Sequence, residues 1–149
     1  MELSSQNGET HEDEYRVEDQ IGFLLRKAHQ RASSIFQSSF SEVQITPTQF
    51  STLCKLSDQG EISQNHLGRL TAMDPATIQG VTRRLIERGL VQTRPDEVDR
   101  RRLLLRLTDE GHALIDSLVV KGKSVTKKTL SPLSDEEQQK MIELLIRIC

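Results

Sequence analysis

The chain has no tryptophan, one tyrosine and four phenylalanines in 149 residues. Phe23, Phe36, Phe40 and Phe50 all lie within the first 50 positions, so an aromatic-lined pocket can be built only there. Cysteine is as scarce. Cys54 and Cys149 have no CxxC or metal-ligand spacing, which argues against a disulfide framework. No two histidines stand at a metal-site spacing, so no metal and no other cofactor is expected. No apolar run approaches the ~20 residues that cross a bilayer. Met1-Glu2-Leu3-Ser4-Ser5-Gln6 lacks the basic and apolar segments of a signal peptide. No membrane partner is expected, and the protein should be cytoplasmic. There is no glycine-rich phosphate loop and no nucleophile–base cluster, so it does not read as an enzyme. The length is that of one ordinary domain.

Charge is present but unevenly spread. The formal net charge is −2, with 20 Lys and Arg against 22 Asp and Glu. Residues 1–20 carry net −6 and residues 69–106 carry net +4, while the two remaining segments are nearly neutral. All nine bases of the cationic stretch are arginine, the side chain best suited to forked contact with phosphate and guanine. The polar segment 1–14 reads as a disordered acidic leader.

Apolar periodicity predicts a long helix over 15–40, carrying Ile21, Leu24, Leu25, Ala28, Ala32, Ile35 and Phe36. Thr46-Pro47-Thr48-Gln49 is a capping box that opens a second helix, ending near Gly60. Glu61-Ile62 suggests a short strand. Ser63 caps a short third helix, and Asp74-Pro75 opens a fourth, with Ile78, Val81 and Leu85 on its buried side and Gly89 just past its end. Two β-prone runs, 90–94 and 102–107, flank a polar tip. Thr108 and Ser134 begin two further helices. The predicted fold class is mainly α with a small β-hairpin wing: a winged helix-turn-helix lobe over 46–107. The helices of 15–45 and 108–149 have apolar stripes with no place in so small a lobe, which suggests an obligate-type homodimer formed through the N- and C-terminal helices.

That architecture points to double-stranded DNA. The outer face of the fourth helix carries Ala76, Gln79, Gly80, Arg83 and Glu87, with Pro75 and Thr77 at its first turn, where a recognition helix meets base edges. Gln suits adenine, Arg suits guanine, and Ala or a Thr methyl suits the thymine methyl. Thr82 and Arg84 are expected on the flanks, against phosphate. Gly80 costs helix stability, which a close approach to the major groove would justify. At the tip, Asp99-Arg100-Arg101 offers arginines to a minor groove, with Asp99 expected to pair with Arg101 and hold it extended.

Asp74-Pro75-Ala76-Thr77-Ile78, Arg88-Gly89-Leu90-Val91, Asp99-Arg100-Arg101 and Leu107-Thr108-Asp109-Glu110-Gly111 together resemble the MarR family of bacterial regulators. The resemblance covers roughly residues 17–148. It implies a winged-helix homodimer on a near-palindromic operator. A narrower resemblance, to NicR-type repressors of nicotinate degradation, rests on Asp19-Gln20-Ile21-Gly22-Phe23, Thr46-Pro47-Thr48-Gln49 and the run 63–74. It implies a repressor of a catabolic operon, released by a small aromatic or heteroaromatic carboxylate. The family's effector sits between the dimer helices and the winged lobe, which makes His29, Ser33, Phe50 and His66 the candidate ligand residues. The alternative is a repressor of the same fold that senses oxidants through Cys54.

Overall fold

The computed structural model describes residues 14–149; the leader, apart from Glu14, lies outside the described residues. A 3-10 turn at Val17–Asp19 precedes α1 (Ile21–Phe40). Then follow α2 (Pro47–Gln59), β1 (Ile62–Ser63), α3 (Gln64–Leu70), α4 (Pro75–Glu87), β2 (Val91–Pro95), β3 (Leu103–Leu107), α5 (Asp109–Thr129) and α6 (Asp135–Ile148).

The helix starts follow local chemistry. Thr46 and Ser134 each form a complete capping box, and Ser63, Asp74 and Thr108 each accept an N–H from the first turn. The first helix is shorter than its apolar stripe suggests. Gln20 is extended (φ −83°, ψ 138°), and its side-chain amide donates to the Arg16 carbonyl at 3.1 Å, so residues 17–19 form a separate turn. At the other end of the reading lobe, Gly89 takes φ 73°. Its N–H reaches Ile86 O at 2.9 Å and the next N–H reaches Leu85 O at 3.0 Å, a Schellman closure of α4.

The sheet has three antiparallel strands in the order β1-β3-β2, rather than a two-stranded hairpin alone. Ile62 pairs with Leu105 and Ser63 with Leu104, while Val91 through Pro95 pair with Leu107 through Leu103. Pro95 ends an edge strand, where its missing N–H costs no ladder bond. Leu53, Leu56, Leu67, Ile78, Leu85 and Leu105 are at most 1% exposed and form the centre of the lobe.

Above the lobe, α1 packs along α5. Arg31 on α1 ties the pair by donating to Thr129 O and Lys128 O, both at 3.0 Å, where the carboxyl end of α5 needs a cation. Phe36 and Phe40 stack with centroids 3.9 Å apart, and Phe50 leans on Phe40 at 5.1 Å. The outer ends remain uncovered: α6 has no buried residue, and Ile21, Leu24, Ile146 and Ile148 are all exposed.

Candidate nucleic-acid interface

The helix-turn-helix is set by close contacts between α3 and α4. A Cβ on Gly68 would come within 3.2 Å of Ile78 Cγ2 and Met73 O, so only glycine fits there without a shift. Ala72 makes the turn at φ 54°. Asp74 then fixes the start of α4, accepting the Thr77 N–H at 2.8 Å and the Thr77 hydroxyl at 2.9 Å. These bonds to Thr77 hold the Asp74 carboxyl below its ordinary range. They also commit the Thr77 hydroxyl to the cap.

Pro75, Ala76, Thr77, Gln79, Arg83 and Arg84 are exposed on α4, and a Cβ on Gly80 would meet nothing within 4 Å. Arg83 keeps a loose contact with Glu87 at 4.0 Å, too exposed to fix it. Thr82 lies on the inward side of α4. It is 2% exposed rather than on an exposed flank, and its hydroxyl lies 2.9 Å from Ile78 O and 3.1 Å from Gln64 Oε1, so that hydroxyl is spent on the core at the floor of the hollow between α4 and the wing. Its place four residues after Ile78, on the buried stripe, was the signal for this.

The wing tip holds itself together. Asp96 N–H donates to Arg102 O and Arg102 N–H to Asp99 O, each at 2.9 Å. Asp99 does not pair with the Arg101 guanidinium as expected; its Oδ1 accepts the Arg101 backbone N–H at 3.1 Å. The reason is the tight turn, which brings that amide to the carboxylate while the side chain points out. Arg100, Arg101 and Arg102 are exposed and make no ion pair among the described residues. Between α4 and the wing lies a hollow of about 500 Å³ bordered by Gln64, Ala76, Gln79, Gly80, Thr82, Arg83, Glu87 and Thr93 among others. Reading helix and wing thus flank one concave, cation-bearing surface. Such a surface can neutralise phosphates and present Gln and Arg to base edges.

The four candidate ligand residues do not line one cavity. His29 Nε2 lies 3.3 Å from Ser33 Oγ, one turn along α1. Phe50 belongs to the aromatic cluster, and His66 is half-buried on α3 with its backbone N–H given to Ser63. A groove of about 630 Å³ opens beside the aromatics, bordered by Ser33, Phe36, Gln37, Phe40, Gln44 and Ile45 among others. Of the four, only Ser33 borders it. The confinement of phenylalanine to the first helices was the signal that could have named Phe36 and Phe40. Burial, aided by Asp58, pushes the Cys54 thiol up, the opposite of what a peroxide-sensing thiolate needs. Among the described residues, no three His, Cys, Asp or Glu stand close enough to hold a metal. No helix is long and apolar enough to cross a membrane.

Fold and surface together define a winged helix-turn-helix DNA-binding protein. The MarR family model matches residues 45–103. The chain is 42% identical over 131 residues to the HTH-type transcriptional repressor NicR of Pseudomonas putida, covering 88% of this chain and 83% of that one. A probable transcriptional regulator from Pseudomonas aeruginosa superposes with a TM-score of 0.86 at 44% identity, over 90% of this chain and all of that one. BpsR of Bordetella bronchiseptica, whose DNA binding is regulated by 6-hydroxynicotinic acid, superposes at 0.87 with 37% identity, over 91% of this chain and 97% of that one. The chain belongs to the MarR family, and it is a DNA-binding transcriptional repressor.

Proposed function

We propose that this protein represses a catabolic operon and is released from its operator by a small aromatic or heteroaromatic carboxylate. Residues 46–107 read DNA, while 15–45 and 108–149 join two copies. The hollow between α4 and the wing, bordered by Arg83 and adjoined by Arg101 and Arg102 across Gln64 and Leu103, is the observation that carries the DNA reading. Pro75, Ala76, Thr77, Gln79, Gly80 and Arg83 take the major groove, Arg84 a phosphate, and Arg100 and Arg101 the minor groove, with Asp99 shaping their turn.

Two recognition helices must reach successive major grooves about 34 Å apart, which requires a dimer and a near-palindromic site. The uncovered apolar faces of α1 and α6 supply a surface for such a dimer. The effector reading is supported by the likeness to BpsR and by the aromatic groove at Phe36 and Phe40, with Ser33, Gln37 and Gln44 as polar partners. His29 adjoins that set through Ser33. A ligand that favours a different spacing of the reading helices lowers DNA affinity by the same coupling factor that DNA lowers its own. The protein works in the cytoplasm, where both operator and catabolite are found.

A gel-shift titration on the protein's own upstream region, with and without a panel of aromatic and heteroaromatic acids, tests this. One or more acids should loosen the complex; a complex indifferent to every acid overturns the effector reading. The same titration with peroxide should change nothing, in keeping with a Cys54 thiol that burial pushes up.

A further inference from the structure

The outward face of the wing sheet carries an ion pair that the DNA-reading surface does not use. Arg94, one residue before the end of β2, forks onto Glu61: Nε to Oε2 at 2.9 Å and Nη2 to Oε1 at 2.5 Å. Glu61 is not on a neighbouring strand, because β3 lies between β1 and β2. The rung that holds Arg94 and Leu104 continues to Ser63, two residues beyond Glu61. The pair therefore crosses β3 diagonally, from the residue that enters β1 to the last rung that β1 touches. Glu61 is itself anchored from behind. It follows Gly60, which ends α2 at φ 79° with its N–H on Leu56 O at 2.9 Å.

Geometry separates this pair from the other surface contacts. A forked arginine–carboxylate contact fixes orientation as well as distance. The Glu61 side chain is 24% exposed, whereas in the other ion pairs of the described residues both partners are at least 45% exposed. On the same face, Gln92, with its amide oxygen turned to Arg106, accepts Nε at 3.0 Å, so the second arginine is held as well. β1 ends at the Ser63–Leu104 rung. Past it, Pro95, Leu103 and the tip hang on a two-stranded ribbon, the sheet form that twists most freely.

We propose that Glu61 is a positioning residue for DNA binding: through Arg94 it sets the angle at which the wing presents Arg100, Arg101 and Arg102 to the duplex. This rests on the wing contacting DNA. It also assigns Arg94 to the wing's frame rather than to phosphate.

The proposal has a sign that a plain surface acid lacks. Removing an acid from a DNA-facing lobe raises affinity by removing repulsion. Removing a brace lowers it. Operator binding is measured by fluorescence anisotropy, across a salt series, on a duplex from the protein's own upstream region. Glu61→Gln should bind about tenfold more weakly, with the salt slope shallower by about 1 for each phosphate contact the wing loses. Arg94→Gln should do the same. The exchange Glu61→Arg with Arg94→Glu rebuilds the pair end for end and should return affinity to within about threefold of wild type. Thermal melting accompanies every variant. Equal or tighter binding by folded Glu61→Gln overturns the proposal. So does a folded exchange variant that binds no better than Arg94→Gln, which decides the matter if Glu61→Gln does not fold. Arg101→Ala is the separate arm: unchanged affinity there removes the wing-contact reading itself, whatever Glu61 does.

Discussion

The guanidinium of Arg88 grips the backbone of Gln44, with Nη1 on Gln44 O at 2.7 Å and Nη2 on Val43 O at 2.9 Å. Arg88 is the C-cap of the reading helix, and Gln44 borders the aromatic groove. Gln44 stands at φ 52°, a conformation that costs a non-glycine residue about 1 kcal/mol and that its surroundings must hold. One end of α4 is therefore tethered to the rim of the proposed effector site.

Arg88→Ala should melt only slightly lower, by the equivalent of about 1 kcal/mol, because the two exposed carbonyls regain water. Its operator affinity should respond less to the acid that releases wild type. The quantity to measure is the ratio of dissociation constants with and without that acid. A ratio as large as wild type's means the tether carries no coupling.

Gly122 on α5 lets the Phe50 ring lie against the helix. A Cβ there would stand 2.7 Å from Phe50 Cζ and 2.9 Å from Cε1. Because Phe36 and Phe40 crowd the same ring, it has little room to withdraw. Overpacking of this kind costs about 1–3 kcal/mol, against roughly 1 kcal/mol gained in helix propensity. Gly122→Ala should therefore lower the urea midpoint at fixed protein concentration, and Gly122→Ala with Phe50→Leu should recover part of the loss. A midpoint at or above wild type contradicts the contact.

Gly80 has open space around it, so the opposite holds there. Gly80→Ala should stabilise the fold by about 0.5–1 kcal/mol through helix propensity alone. If the backbone at Gly80 approaches the major groove, the variant binds the operator more weakly or with altered base preference. Stability raised with affinity and preference unchanged leaves Gly80 no part in reading.

Three carboxyls sit below their ordinary values: Asp74 through its bonds to Thr77, Glu137 through Ser134, and Glu61 chiefly through Arg94. A group lowered in the folded state contributes stability that is complete above its unfolded value and is lost as pH falls through the folded one. The melting temperature should stay level through neutral pH with respect to these groups and decline on the acid side. Asp74→Asn keeps a cap acceptor but cannot titrate, so its acid decline should be shallower. A profile parallel to wild type's would show that Asp74 gains nothing from folding.

The legible parts of the sequence were the local ones. Thr46, Ser63, Asp74, Thr108 and Ser134 each bond an amide three residues ahead, and a four-residue window contains both partners. The Ile78, Val81 and Leu85 stripe was legible for the same reason, since helical period depends on neighbours alone. The exposed face of α4 followed from it, and Thr82 was misread only where the four-residue spacing from Ile78 was not applied.

The sequence by itself determined where the capped helices begin and that arginine is concentrated between 69 and 106. Only the tertiary structure decided which distant residues meet. Glu61 and Arg94 are 33 positions apart, and Arg88 is 44 from Gln44. Phe50 and Gly122 are likewise far apart in sequence. No local preference distinguishes one arginine of the cationic stretch from another. Arg94 and Arg88 are held in place because packing brings a carboxylate to one and two backbone carbonyls to the other, while Arg100 to Arg102 make no ion pair among the described residues.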